Sequence, residues 1–417
     1  MSTICIYWDE SHFWGLMVLR ALRAWGIPHR LVRGTEIAQG ALAGKPCAAL
    51  VVPGGNARNK TERLGEAGAA AVRGYVASGG TYIGICGGAG LALSGPGGLG
   101  LCPWKRRRFE DRMHHFLSGH VHARLDASHR LTPNDTEGEA RIPVWWPGQF
   151  REEPGEVEVL ARYERPASDF WVADLALCSI PAQALEEWEQ LYDLSIRPDY
   201  LRGRPCVVSG SHGAGRYLLS YPHLETPASP EANHWLAHLL AEVLGDSGLR
   251  DLPPLPAWDV SRLPVRWEDP ALLRARTRLE NAVAMGQSHF LLFWRNPWLI
   301  GWRRGVPGAG INSLYSLVCE ILASDPPGCS GEVAEFWNRH ALRFTELMDL
   351  LHHGLTGFLL AERIAMTVSH SGHDEFSERA RREQRAALFG PPPSGGGLYG
   401  EIVVLLEELY WRIQAIR

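Results

Sequence analysis

Residues Thr81–Leu93 read TYIGICGGAGLAL, and the fold turns on this stretch. The apolar run Tyr82, Ile83, Ile85 reads as a buried strand. Gly84-Ile85-Cys86-Gly87-Gly88 follows, and then a small-residue pattern compatible with a helix. Strand, sharp turn and helix make the layout of a nucleophile elbow, with cysteine at the reactive position. Glycines on both sides fit that reading, because the backbone at such a residue is strained and neighbouring side chains would collide with the strand or helix start. A thiol at a helix N-terminus also feels the positive end of the peptide dipoles, which favours thiolate. A buried structural cysteine in a glycine-rich turn fits the same letters. From this stretch alone the two readings stand level.

Working back toward the N-terminus, Thr3–Trp8 is β-branched and aromatic and reads as the first strand. Ser11 is placed to cap a helix over Phe13–Trp25, where Leu16, Leu19 and Leu22 recur at helical spacing and Gly26 and Pro28 close the element. His29–Arg33 reads as a second strand. Ala48–Val52 is a continuous apolar run, the mark of a parallel strand buried on both faces. It ends in Pro53-Gly54-Gly55-Asn56, and a helix over Glu62–Ser78 leads through Gly79-Gly80 into the cysteine strand. This alternation of strand and helix predicts a doubly wound sheet with right-handed crossovers. Ligands bind outside the carboxyl ends of such strands. Pro53-Gly54-Gly55 and Cys86 both fall at such ends, so the N–H groups of Gly54, Gly55 and Gly87 are candidate oxyanion donors beside the thiol.

From Leu99 to about Pro205 the pattern turns irregular. His120–Leu125 and Glu156–Tyr163 alternate as strands do, and Pro143–Phe150 (PVWWPGQF) reads as an aromatic loop able to line a pocket. His114, His115, His120, His122 and His129 cluster here, with His120 and His122 on one strand face. No acidic or cysteine set accompanies them at a metal-ligand spacing, so no metal or other cofactor is expected. Pro205–Ser209 and Arg216–Tyr221 read as closing strands around Gly210–Gly215. Pro222-His223-Leu224-Glu225 comes directly after, and then a helix over Ala232–Leu244. A nucleophilic cysteine needs a base, and the base needs a third group to fix its tautomer. His223 past a strand end, with Glu225 two residues on, supplies both roles and tips Cys86 toward the nucleophile reading.

Taken together, Val51–Gly55 (VVPGG), Tyr75–Gly90 (YVASGGTYIGICGGAG), Pro147–Phe150 (PGQF), Val159–Tyr163 (VLARY) and Gly213–Glu225 (GAGRYLLSYPHLE) resemble the class I glutamine amidotransferase superfamily. Within it the pattern is most similar to the biotin–protein ligase N-terminal-domain-like family, over about residues 1–245. The resemblance implies a flavodoxin-like sheet with Cys86 as nucleophile, His223 as base, Glu225 as its orienting carboxylate, and Gly54, Gly55 and Gly87 as oxyanion donors. Glutamine-hydrolysing members carry Gln four residues after the cysteine, whereas this chain has Gly90. The resemblance therefore does not imply free glutamine handled in the usual manner. Nor is biotin ligase activity expected, since no glycine/arginine-rich loop of the ligase type follows; Arg303-Arg304-Gly305 is too short and isolated.

The 417 residues suggest more than one domain, and 45% hydrophobic with 21% charged residues is an ordinary globular balance. A net charge of -4, with basic runs at 105–108 and 379–385 flanked by acids, argues against a nucleic-acid surface. The first residues lack the basic start of a signal peptide, and no run approaches the ~20 apolar residues of a membrane span. Eight scattered cysteines without paired spacings read as reduced thiols, and a cytoplasmic location is expected. Asp246–Pro264 is Pro-rich and reads as a linker. Beyond it the pattern is helical over 271–286, 312–323, 331–354, 358–370, 374–389 and 398–416, with Pro326-Pro327-Gly328 and Pro391–Gly397 as connections. The aromatic segment Phe290–Trp302 reads as packing, and His352, His353, His370, His373, Asp374 and Glu375 as solvated side chains.

The expectation is thus an α/β flavodoxin-like doubly wound domain over 1–245, class I glutamine amidotransferase-like, a linker over 246–264, and an all-α helical domain over 265–417. Its expected activity is that of a cysteine-dependent amidase or amidotransferase-like hydrolase, acting on a small-molecule or peptide-like amide. The alternative is a catalytically inactive binding module whose helical half mediates self-association or holds a protein partner. A redox thiol protein ranks lower, because it leaves His223 and Glu225 without a role.

Overall fold

Four apolar runs, each leading into a helix, build the first half of the chain in the computed structural model, which describes residues 3–43, 47–109, 115–133, 135, 137–328, 331–368, 374–391 and 395–415. In order they are β1 (Thr3–Tyr7), α1 (His12–Ala24), β2 (His29–Val32), α2 (Gly34–Ala38), β3 (Cys47–Val52), α3 (Ala57–Ala77), β4 (Thr81–Ile85) and α4 (Gly87–Ala92). Then come β5 (Lys105–Arg106), β6 (Leu117–Leu125), β7 (Glu139–Trp145), β8 (Phe150–Arg151), β9 (Glu158–Pro166), β10 (Trp171–Val172), β11 (Leu175–Ala176), α5 (Ala182–Tyr192), β12 (Pro205–His212), β13 (Gly215–Ser220) and α6 (Pro230–Leu244). The chain divides into two units, Met1–Ala257 and Trp258–Arg417.

The first unit is organised by an 11-stranded mixed sheet. Its parallel part runs β2-β1-β3-β4-β13, and the sheet continues antiparallel through β12, β9 and β6. Strands β1, β3 and β4 are the inner strands of the parallel part, with Ile4, Ile6, Leu50, Val52, Tyr82 and Ile83 almost wholly removed from water. Each such side chain contributes about 1.5–3 kcal/mol by burial. A doubly wound α/β core followed by a helical unit is therefore the architecture, as the strand–helix alternation predicts. The segment expected as irregular between Leu99 and Pro205 supplies the antiparallel extension, and Pro143–Trp145 of the expected aromatic loop ends strand β7.

Two local expectations are corrected. Ser11 occupies the position before α1 but caps nothing there. Its hydroxyl donates to the Tyr7 carbonyl at 2.8 Å and accepts from Lys60 Nζ at 2.6 Å. Helix α3 starts before Glu62, because Asn56 accepts from the N–H groups of Arg58 and Asn59 and caps it, and it kinks at Gly65 (φ 63°). The first part of the Pro-rich stretch packs with the first unit: Leu255 is buried, its N–H donates to Asn233 Oδ1, and the Pro253 carbonyl accepts from Trp25 Nε1.

The second unit comprises α7 (Pro270–Ser288), β14 (Leu292–Asn296), β15 (Leu299–Trp302), α8 (Gly308–Leu322), α9 (Glu332–Val368), α10 (Asp374–Phe389) and α11 (Gly397–Ala415). Asp269 caps α7 by accepting from the N–H groups of Ala271 and Leu272. Helix α8 is buried nearly all round, and α7 is tied to α9 by Arg274 and Arg278 on Asp349. The aromatic segment forms an antiparallel hairpin, β14–β15, which adds to the helices. Leu292, Trp298, Leu299 and Ile300 face inward, whereas Phe290 is 79% exposed. The two helices expected over 331–354 and 358–370 are one continuous helix, α9. Leu351, Leu355 and Phe358 bury one stripe across the expected break, and a Cβ at Gly354 would lie 2.5 Å from Leu388, so this glycine serves close packing. His114, His370 and His373 lie outside the described residues.

Candidate active site

The carboxyl ends of β1, β3, β4 and β13 fall along one edge of the parallel sheet, where ligands of such folds bind. Cys86 joins β4 to α4 with φ 49° and ψ -102°, a conformation that side-chain-bearing residues avoid and that the surroundings must hold. Its N–H donates to the Ser220 carbonyl at 2.7 Å, and its own carbonyl accepts the first helical bond from Gly90. The neighbouring glycines are required by contact. A Cβ at Gly84 would stand 2.6 Å from the Gly88 carbonyl, one at Gly87 1.9 Å from the Gly55 carbonyl, and one at Gly88 1.9 Å from the Val52 carbonyl. Helix α4 has only six residues, too few to bring a long macrodipole to this turn.

His223 follows β13 and is completely buried, as is Glu225 at 1% exposure. His223 Nδ1 and Glu225 Oε1 are 2.7 Å apart. The loop is pinned by the His223 N–H on the Pro143 carbonyl, by Thr226 Oγ1 on the His223 carbonyl, and by Trp145 Nε1 on Thr226 Oγ1. Asn233 Nδ2 donates to the carbonyls of Leu224 and Thr226. The Cys86 sulfur lies 4.0 Å from the Trp145 carbonyl, so β7 borders both the thiol and the imidazole. Burial opposes charge on His223. Glu225 and the nearby Cys86 thiol outweigh it and push the imidazole up to about 10. Nε2 has no partner at hydrogen-bond geometry among the described residues, and the Cys86 thiol lies close enough to raise the imidazole.

Gly54 and Gly55 reach the same place from β3. A Cβ at Gly54 would lie 2.9 Å from His223 Cε1 and equally close to the Trp14 indole; Gly55 has φ 115° and faces the Glu10 carbonyl. The structure therefore brings Gly54, Gly55, Gly87, Cys86, His223 and Glu225 to one edge. Trp14 and Trp146 complete it: Trp14 stacks on the His223 ring (centroids 4.3 Å, 32° between planes) and meets Trp146 edge-on at 5.9 Å. Sequence reasoning placed Trp14 only on a helix face. Its signal was its position just past the carboxyl end of the first strand. Beneath the Gly55 turn, Lys60 is completely buried, with Nζ donating to the Asp9 carbonyl at 3.1 Å and to Ser11 Oγ.

The histidines of β6 serve other partners. His120 pairs with Asp169, and His122 with Glu139 beside Arg165. Among the described residues no group of three His, Cys, Asp or Glu side chains is disposed to hold a metal ion. No helix among them is long and apolar enough to cross a membrane.

Residues 35–94 match the family described as biotin-protein ligase, N terminal. That span covers Gly54, Gly55, Cys86 and Gly87 and stops short of His223 and Glu225. It agrees with the resemblance carried by VVPGG and by the glycine-rich run around Cys86. No curated protein matches the chain. Among solved structures, a glutamine amidotransferase is similar at 21% identity and TM-score 0.37, covering 59% of this chain and 100% of its own. A ThuA-like protein from Bacteroides uniformis is similar at 10% identity and TM-score 0.37, covering 58% and 91%. A glutamine amidotransferase from Thermotoga maritima is similar at 11% identity and TM-score 0.34, covering 59% and 83%. At these scores the likeness carries no argument about chemistry.

Proposed function

We propose that the first unit is a cysteine-dependent amidase or amidotransferase-like hydrolase acting on a small-molecule or peptide-like amide. Cys86 attacks the acyl carbon as thiolate, with His223 holding the thiol proton on Nε2. The oxyanion of the tetrahedral intermediate rests on N–H groups of the Gly54-Gly55 turn and of Gly87. His223 returns the proton to the leaving amine, and water or an acceptor amine then resolves the thioester. Glu225 fixes the tautomer and stabilises the imidazolium. The observation that carries this reading is the pairing of a strained, glycine-flanked Cys86 with a wholly buried His223 whose Nδ1 is taken by Glu225 and whose Nε2 is left without a partner.

Gly90 bears on the substrate. A Cβ there would meet only Ala57 Cβ, at 3.7 Å, so no residue holds a glutamine from this position. The test is intact-protein mass spectrometry of wild type and Cys86→Ala after exposure to a library of small amides. An acyl adduct on the wild type alone supports the reading. Iodoacetamide alkylation of Cys86 no faster than that of a free thiol across pH 6–9 removes it.

A second reading concerns the helical unit. Leu342, Leu350 and Ile364 lie on one side of α9 at 73%, 56% and 60% exposure, with exposed Glu346 and His353 between them, and they are the apolar side chains through which the helical unit would self-associate. Light scattering of the full chain against a Leu342→Glu/Ile364→Glu variant tests it: a wild type as monomeric as the variant excludes self-association.

A further inference from the structure

A second chain of nucleophile, base and carboxylate lies outside the Cys86 site. His120 of β6 has Nδ1 2.7 Å from Asp169 Oδ2 and Nε2 3.0 Å from Ser229 Oγ. We propose that Ser229, His120 and Asp169 form a serine-type acyl-transfer site that hydrolyses small uncharged esters.

A serine-type site requires the neutral His120 tautomer with its proton on Nδ1. His120 and Arg141 hold the Asp169 carboxyl well below the usual carboxylate range, against the effect of its partial burial. An ionised carboxylate accepts the Nδ1 proton, which leaves the Nε2 lone pair to accept from the Ser229 hydroxyl. That is the orientation a general base needs toward its nucleophile. Asp169 is the most exposed of the three side chains, at 41%, but it is fixed from two further directions. Arg141 Nη2 donates to Oδ1 at 3.2 Å, and the His120 N–H donates to the same oxygen at 3.3 Å.

Ser229 stands where a helix-capping serine belongs, immediately before the 15-residue helix α6, yet its side chain caps no N–H of that helix. The hydroxyl is turned to His120. With the Ser229 hydroxyl turned away, the N–H groups of Glu231 and Ala232 in the first turn of α6 are the donors this site would offer an oxyanion. Ala228, just before the serine, is exposed and has φ 54°, a strained conformation for a residue with a side chain. Ser229 itself is 3% exposed between exposed Ala228 and Pro230, which limits the substrate to a small acyl group. An ester suits this site better than an amide, because an alkoxide leaves with less help from a base whose carboxylate is partly screened by water.

The steps balance without a further reagent. Ser229 Oγ bonds to the acyl carbon while its proton passes to His120 Nε2. The ester C–O bond breaks, and the same proton leaves on the alcohol. Water then adds to the acyl carbon, gives a proton to His120, and the C–Oγ bond breaks as Ser229 is reprotonated.

The experiment uses the full-length Cys86→Ala protein, so that the first nucleophile is absent. It is treated with a fluorophosphonate, digested and mapped by mass spectrometry, and its hydrolysis of p-nitrophenyl acetate is followed. The proposal expects phosphonylation at Ser229. It also expects a fall of about 10²-fold or more in ester turnover on adding Ser229→Ala or His120→Ala, with thermal unfolding little changed. Asp169→Asn, at a partly exposed position, is expected to lower turnover as well. Label absent from Ser229, or turnover unchanged by Ser229→Ala and Asp169→Asn, overturns it. The hydrogen-bonded chain is then only a tie between β6 and the start of α6.

Discussion

Glu225 Oε1 sits 2.7 Å from His223 Nδ1, and neither side chain reaches water. A buried imidazole alone would be hard to charge, and this contact is what reverses the balance. Glu225→Gln keeps the shape and removes the charge. The expected result is a His223 that titrates at lower pH by NMR than in the wild type, together with a turnover loss of about 10²- to 10⁴-fold. A His223 titration unchanged by the substitution would take the orienting role away from Glu225.

The glycines around Cys86 divide by what they touch. At Gly87 an added methyl meets the Gly55 backbone carbonyl, which cannot step aside, whereas at Gly90 it meets only a methyl at ordinary contact distance. Gly87→Ala is therefore expected to destabilise the fold by about 1–3 kcal/mol or more through forced backbone movement. Gly90→Ala should be neutral, or stabilising by up to about 1 kcal/mol, through helix propensity. Urea unfolding of the two variants side by side measures the difference. Equal effects would mean that the elbow does not hold the two turns in contact.

Much of this arrangement was legible because it depends on local pattern. Buried parallel strands advertise themselves as unbroken apolar runs, as in Ala48–Val52, and a cysteine between glycines marks a strained turn. The order Cys86, His223, Glu225 then follows from where strands end. What escaped notice depends on tertiary contact. Trp14 lies on His223 although the two are distant in the chain. Helix α2 is only five residues long and is held by Asp9 Oδ2 on the Gly34 N–H and by Glu36 on the Arg33 N–H. Gly354 and Gly357 resemble a break, yet α9 runs through them because Leu351, Leu355 and Phe358 all find burial on one side. Ser229 carries no sequence signal beyond a serine before a helix, and only the structure shows its hydroxyl on His120.

Lys60 links the start of the chain to the turn that faces the thiol. Its ammonium donates to the Asp9 carbonyl and to Ser11 Oγ, lies 5.3 Å over the Tyr7 ring, and its stem lies under Gly55. Lys60→Met fills the space but leaves the buried carbonyl and hydroxyl without that donor, at about 1–3 kcal/mol each. The expected outcome is a lower thermal midpoint, together with slower alkylation of Cys86 as the Gly55 turn loosens. An unfolding midpoint equal to wild type would show that the ammonium is not a structural tie.

The His223 proton also sets how stability changes with pH. In the unfolded chain the imidazole titrates near 6.5, while in the folded protein it is pushed up to about 10. Because the folded-state value is the higher one, the folded protein holds the extra proton between these limits. This contribution to stability is complete below 6.5 and is lost as pH rises through 10. The slope in that window is negative and at most about 1.4 kcal/mol per pH unit from this one group. His223→Gln, which cannot take a proton, is expected to flatten the decline between pH 7 and 10 relative to wild type, and Glu225→Gln should flatten it partly. Chemical denaturation at several pH values compares the three proteins. If wild type and His223→Gln decline in parallel, the folded protein takes up no net extra proton through His223 in that window.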